Sequence, residues 1–326
     1  MRLTYFYRSL KCGISIKKVF NTVADEISKT HNIKQYYVPH HRADVKSVLR
    51  NIFYVFKHRD KNGINHITGD VQYCMVALIG CKSVLTIHDL SHLDRARNTV
   101  DRMLLKLVWY KFPLLIADKI VCISEHTRNE LIKITKRKDI EVIYNAIDPS
   151  FTIKLKEFNE EKPVILQIGT TWNKNLLNII TATTSIKCHF VIIGLVDDLL
   201  LNLLKENNMS YAIKTNLTDK ELIQEYYECD IVSFCSLYEG FGMPIIEGNA
   251  IGRCVITSAI PPMTEIASNA ACLVNPNDIS SIKNGLKKII SESNYRDSLI
   301  NNGIANIDRF KVDTISKSYL NLYTKI

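Results

Sequence analysis

Short apolar or aromatic runs alternate with longer stretches of helical period along the whole chain. The runs at residues 3–7, 35–38, 83–87, 119–123 and 141–143 read as strands, as do 164–168, 189–193, 231–234, 253–257 and 271–274. Helical spacing occupies 14–28, 100–116, 125–134, 176–185, 219–228, 244–250 and 279–291. Strands alternating with helices predict parallel sheets covered by helices on both faces. Several of the strands are continuous apolar runs, the pattern of strands buried on both sides.

The alternation breaks at 148–163, which holds Pro149, Pro163 and the charged cluster Lys154, Lys156, Glu157, Glu160, Glu161 and Lys162, and then restarts with VILQIGT. This predicts two doubly wound α/β domains, 1–150 and 151–308. A last helix, 309–326, is expected to return to the first domain. Open sheets of this kind bind ligands at the carboxyl ends of their strands, so a cleft between the domains is the expected site. The length, 326 residues, suits two domains.

Composition narrows the class. Hydrophobic residues make up 46% and charged residues 23%, an ordinary globular balance. There is no internal repeat or low-complexity tract. The densest apolar run, 104–117, is interrupted by Lys106, Lys111 and Pro113, so no membrane-spanning segment is expected. The start, MRLTYFYRSLK, lacks an apolar core of the length needed for secretion. Nine scattered cysteines without a CxxC pair read as reduced thiols of a cytoplasmic protein.

Charge is unevenly divided. Residues 1–150 carry 25 Lys and Arg against 14 Asp and Glu, net +11, and the remainder carries 17 against 19, net −2. Such asymmetry points to an anionic partner of the first half or to a solubilising surface. No zinc-finger spacing, RNP motif or basic heptad region is present, so nucleic acid is not expected. An anionic membrane surface is the other candidate. Segment 46–59, KSVLRNIFYVFKHR, interleaves Leu49, Ile52, Phe53, Val55 and Phe56 with five basic or histidine side chains, and 95–111 is similar, with Trp109 and Tyr110. Basic amphipathic helices can lie in a membrane interface, although half-buried domain helices have the same look.

The most informative stretch is 236–252, SLYEGFGMPIIEGNAIG. A strand runs into a glycine turn and then a helix beginning near Met243 or Pro244. Gly240 and Gly242 allow the backbone close to a ligand, and Pro244 suits a first helical turn. Free N–H groups and the positive helix end make an anion site there. Glu239 and Glu247 bracket it, and carboxylates accept hydrogen bonds from sugar hydroxyls. A helix-start turn with two solvated glutamates would also account for this segment in isolation.

SLYEGFGMPIIE resembles the E-x7-E signature of retaining glycosyltransferases of the GT-B fold, group 1, family 4. QIGTTWNKN is similar to the family's glycine turn followed by Lys–Asn. LTDKELIQEYYECDIVSFCS and PPMTEIASNAACLVNPND resemble its flanks, and GINHITGD, TIHDLSHLD, VCISEHTRNEL and VIYNAID resemble its N-terminal landmarks. The resemblance implies two Rossmann-like domains facing a cleft, with a nucleotide sugar bound mainly by the second. Glu247 would take the ribose hydroxyls. Glu239, Gly240, Phe241, Gly242 and Met243 would hold the donor sugar. Lys174, with Gly169 and Asn173, would hold the diphosphate. From the first domain, which carries the acceptor, His88 would approach the donor sugar and Gly13 of KCGIS would face the diphosphate. Glu239, Lys174 and His88 are the catalytic candidates.

The chemistry implied is hexosyl transfer to a glycan or lipid-linked acceptor, in surface polysaccharide or glycolipid synthesis, at the inner face of a membrane. No D-x-D occurs; Asp197 and Asp198 are adjacent at a helix start, and His88 and His92 lack further ligands, so transfer is expected to be metal-independent and without a cofactor. Asn173 stands where the family often has Arg, and Thr170 where some members have one. Arg253 could substitute only if it pointed into the cleft, and its helix–strand junction argues against that. The N-terminal loop has one glycine where many members have two. Two alternatives are a non-catalytic binding subunit and a sugar-nucleotide epimerase. A Rossmann dehydrogenase is a poor fit, because no G-x-G-x-x-G occurs.

Overall fold

The computed structural model describes residues 1–13, 15–95 and 98–326. Ile14, first residue of the helix expected over 14–28, and Ala96 and Arg97, within segment 95–111, lie outside the described residues. The chain forms two compact units: Met1–Asp148 with Lys311–Ile326, and Pro149–Phe310.

The first unit runs β1 (Arg2–Tyr7), α1 (Ser15–Ser28), β2 (Asn32–Tyr37), α2 (Val45–His58), β3 (Ile64–Ile67), β4 (Ser83–Ile87), α3 (Thr99–Leu105), α4 (Phe112–Ile116), β5 (Lys119–Cys122), α5 (Glu125–Leu131) and β6 (Ile140–Val142). Its six strands are parallel, in the order β2-β1-β3-β4-β5-β6. A 3-10 helix, Gln72–Leu78, follows β3. The helix expected over 100–116 is divided by a π turn, Lys106–Lys111, in which the Phe112 N–H reaches Leu107 O. Pro113, which cannot donate a ladder bond, follows at once.

The second unit runs β7 (Val164–Ile168), α6 (Leu176–Thr183), β8 (His189–Ile193), α7 (Asp198–Glu206), β9 (Ser210–Lys214), α8 (Asp219–Glu228), β10 (Ile231–Phe234), α9 (Met243–Ala250), β11 (Cys254–Ser258), α10 (Met263–Ala267), β12 (Cys272–Val274), α11 (Ile279–Ser291) and α12 (Ser293–Asn306). Its strands are also all parallel, ordered β12-β11-β10-β7-β8-β9. The last helix, α13 (Val312–Thr324), belongs to the first unit, where it rests on α1.

All ten apolar runs are strands, with ends shifted by a few residues. β3 and β9 were not expected. β3 reads INHI, and its polar Asn65 and His66 are wholly buried yet hydrogen-bonded. β9 is a half-buried edge strand without an apolar run. Each unit has its own apolar core. The nine cysteines are all free thiols.

The strand order positions the sites. In each sheet the chain winds one way from a central strand and then the other way from that strand's neighbour. The reversal falls between β1 and β3 in the first unit and between β7 and β10 in the second. Crevices for ligands open at the carboxyl ends of such strand pairs.

Candidate active site

In the second unit the loops leaving β7 and β10 meet at the reversal point. Gly169 follows β7 at φ +82°, and a Cβ there would come within 3.1 Å of the Lys174 stem. The chain then makes a short turn, Trp172–Lys174, and Asn175, in the left-handed region, starts α6. The Asn175 amide donates to Cys235 O at 3.0 Å and Pro276 O at 2.7 Å, fastening this loop to the one after β10. Leu237 N donates to Asn173 O at 2.8 Å.

This frame brings three of the expected residues together. Lys174 Nζ lies 2.6 Å from Glu239 Oε1, both side chains being mostly buried. The Asn173 amide donates to the same oxygen at 3.2 Å and to Tyr238 O at 3.0 Å. Lys174 also lies over the Phe234 ring, 4.7 Å from its centroid. Gly242, at φ +121°, caps α9, whose first residue is Met243 and whose opening turn holds Pro244. A Cβ on Gly242 would come within 3.0 Å of Ile245. Phe241 is buried edge-on against Phe310.

Glu247, in the second turn of α9, accepts a hydrogen bond from the Tyr226 hydroxyl on α8. Burial, and then the Glu247 charge, push the Tyr226 phenol well above its ordinary range, so it stays a donor. Tyr226 was not anticipated: its partner is 21 residues away on another helix, and nothing in its own neighbourhood marks it.

Arg253 does not supply the missing cation. It is buried at the amino end of β11, where it donates at 2.8 Å each to Cys229 O, Lys154 O and Tyr227 O. The site lies at the opposite ends of these strands. Asp197 caps α7 by accepting from Leu200 N at 2.9 Å. Among the described residues no group of three His, Cys, Asp or Glu is placed to hold a metal ion.

His88 and Gly13 belong to the first unit. His88 follows β4 and is buried beneath Gly69, where a Cβ would fall 2.3 Å from its ring. Its Nε2 lies 2.7 Å from Thr68 O, a pure acceptor, so Nε2 carries the proton. Burial lowers its pKa, partly opposed by the Asp70 charge. Arg8, after β1, pairs with Asp70, after β3, and donates to Gly13 O at 2.7 Å. Burial raises the Asp70 pKa, but His92 and Arg8 more than reverse it, so it ionises well below the usual carboxylate range. Arg8, Asp70 and His92, but neither His88 nor Gly13, border a cavity of about 600 Å³ at the carboxyl ends of β1–β4, with Tyr73, Asp89 and Trp109 on its wall. Its volume is that of a small-ligand site. Arg8 Nε and Trp109 Nε1 are buried donors without a hydrogen-bond partner among the described residues.

Two parallel sheets with loop sites at both reversal points define a GT-B protein. The family profile "Glycosyl transferases group 1" matches residues 150–306, and "Glycosyltransferase Family 4" matches 22–151. The chain belongs to the group 1 glycosyltransferases of the GT-B fold. It is similar to the uncharacterized glycosyltransferase MJ1178 of Methanocaldococcus jannaschii, 26% identical over 71% of this chain and 66% of that protein. It is also similar to the O-antigen chain mannosyltransferase RfbU of Salmonella typhimurium, 26% identical over 63% of this chain and 60% of that one. Each match thus spans less than two thirds of the relative's length. Among solved structures, Anabaena Alr3699/HepE in complex with UDP and glucose superposes with a TM-score of 0.79 at 14% identity, covering all of both chains.

Proposed function

We propose that the chain is a retaining hexosyltransferase that passes a sugar from a nucleotide diphosphate to a glycan or lipid-linked acceptor in surface polysaccharide or glycolipid synthesis. The observation that carries this is the convergence of Lys174, Asn173 and Glu239 beside the glycine loop that opens α9. In the reaction the bond from the anomeric carbon to the diphosphate breaks, a bond to the acceptor oxygen forms, and the acceptor proton passes to the leaving phosphate. Charge grows on that diphosphate. The Lys174 ammonium, the amides of 240–242 and the positive end of α9 stabilise it without reorganisation. Glu239, held by Lys174 and Asn173, accepts from the donor sugar, and Glu247, fixed by Tyr226, accepts from the ribose. In the first unit, the cavity beside Trp109 takes the acceptor, and His88 and Gly13 serve the donor sugar and diphosphate. RfbU is described as an O-antigen chain mannosyltransferase and HepE binds UDP, both of which favour this reading. Transfer needs no metal, and the protein works in the cytoplasm.

The test is a thermal-shift screen against UDP-, GDP- and ADP-sugars, followed by analysis of the anomeric configuration of the product. A ligand at a hundredfold excess over its Kd stabilises by about 2.7 kcal/mol. An inverted product would overturn retention. The second reading, a non-catalytic binding subunit, is favoured by Thr170 and Asn173 in place of arginines, and binding without transfer would establish it. Epimerised product from donor alone would identify an epimerase.

A further inference from the structure

We propose that the acceptor carries an oxyanionic group, a phosphate or a carboxylate, and that Arg8 and the loop His40–Arg42 bind this group in the cavity of the first unit. That the anion belongs to the acceptor rests on the glycosyltransferase reading of this cavity.

The observation is an imbalance between hydrogen-bond donors and acceptors on the cavity wall. Two carboxylates border the cavity, Asp70 and Asp89, and both are already served. Asp70 is paired with Arg8 and lies 3.8 Å from His92 Nε2. Asp89 Oδ1 accepts from Ser91 N at 2.8 Å and from Ser91 Oγ at 2.5 Å. The donors are in surplus. Arg8 spends N–H groups on Asp70 and on Gly13 O and leaves Nε without a partner among the described residues. His40, His41 and Arg42 share the wall with it. Among the described residues neither imidazole ring nor the Arg42 guanidinium makes a hydrogen bond or an ion pair; the bonds of His40 and His41 are those of their backbone.

The loop is held in place from below. Asn51 is a wholly buried polar residue on the core face of α2. His40 N donates to its Oδ1 at 3.0 Å, and its Nδ2 donates to His40 O at 2.9 Å. The same Nδ2 donates to the Tyr73 hydroxyl at 2.8 Å, which leaves the Tyr73 proton for a ligand. Burial raises the Tyr73 pKa, so that proton stays on. All three bonds of this amide thus go to the cavity wall, and donors fixed in advance bind without the cost of ordering them. A neutral sugar both gives and accepts hydrogen bonds, and would find the carboxylates here occupied. An ionised phosphate or carboxylate only accepts, which is what the surplus of donors requires. Arginine matches the geometry of either group. The net +11 of residues 1–150 raises the local concentration of such a ligand.

The experiment uses the full chain carrying Trp172→Phe, which leaves Trp109 on the cavity wall as the single tryptophan. Its fluorescence is titrated at constant ionic strength with glucose 1-phosphate, geranyl diphosphate, glucuronate and methyl glucoside. We expect a saturable change with at least one of the three anions, at a concentration where methyl glucoside has no effect. The tightest of them tells a phosphorylated sugar, a lipid diphosphate and an acidic sugar apart as the source. In the same background His41→Ala/Arg42→Ala, two exposed positions, should weaken that anion about tenfold or more, the loss expected when a charged hydrogen bond is removed. Melting temperature and the thermal shift given by nucleotide sugars should stay unchanged. Methyl glucoside binding as tightly as the anions, or anion binding indifferent to the double variant, overturns the proposal. Nucleotide-sugar binding without any response to the anions overturns it too, and leaves the glycosyltransferase reading standing. Anion binding by a protein that takes no nucleotide sugar overturns that reading, and with it the acceptor as the source of the anion.

Discussion

Glu247 and Tyr226 show how one side chain is prepared for its partner by another. The phenol, kept protonated by burial and by the neighbouring carboxylate, donates a hydrogen bond that orients Glu247. Hydrogen bonds to charged groups contribute about 1.5–3 kcal/mol. Glu247→Ala should therefore weaken nucleotide affinity by roughly tenfold to a hundredfold in calorimetry, with little change in folding. Affinity at the wild-type level would remove Glu247 from the ribose site. Lys174→Ala removes the cation beside Glu239, and loss of one such electrostatic stabiliser costs about 10²–10³ in turnover. Rates near wild type would mean that the leaving group is held elsewhere. Glu239 and Glu247 were legible in the sequence through the glycine turn and Pro244 between them, and Lys174 through the resemblance of QIGTTWNKN to a family motif. Tyr226, Asn175 and Asp70 were not, because each acts on a partner that only the sheet order brings near.

At the level of elements, α13 is held by a buried polar chain. The Tyr323 hydroxyl lies 2.7 Å from both the Tyr5 hydroxyl and His66 Nδ1, while His66 Nε2 lies 2.8 Å from Thr86 Oγ1. This explains why β3 escapes an apolar pattern: His66 is spent on tying a distant helix, and Asn65 on the backbone of Asp60 and Lys82. Tyr323→Phe takes from His66 Nδ1 and the Tyr5 hydroxyl the partner they share, and stranding a buried polar group costs about 1–3 kcal/mol, readable as a lower denaturation midpoint. A midpoint equal to wild type would deny the network that role. Burial, with the neighbouring His88, lowers the His66 pKa to about 3 from the usual 6.5. The unfolded chain then binds more protons than the native one between those values, so stability falls as pH drops through that window and is insensitive to this group above it. The slope is about 1.4 kcal/mol per pH unit for one such group. In His66→Gln the acid sensitivity should shrink; an unchanged pH profile would assign it elsewhere.

For the molecule as a whole, the alternation of strands and helices announced two doubly wound sheets before any coordinate. The strand order could not be read that way, since pairing β1 with β3 and β7 with β10 depends on contacts between segments far apart in sequence. That order is what makes two crevices. On the proposed mechanism, in which Lys174, loop amides and a helix end take the leaving-group charge, transfer should proceed unchanged in EDTA. Activity lost to the chelator and restored by manganese or magnesium would overturn that assignment.

The return of Lys311–Ile326 to the first unit has a consequence for how the protein is made. A ribosome delivers the sheet β1–β6 early but the helix that covers Phe20, His66 and Tyr5 only after the whole of Pro149–Phe310. At about 5–20 residues per second the nascent sheet waits on the order of ten seconds with that flank bare. During that interval the second unit, whose strands and helices are contiguous, can close by itself. Translation thus reverses the order of completion: the part made first finishes last, and in a cell it is the part for which a chaperone has the longest opportunity.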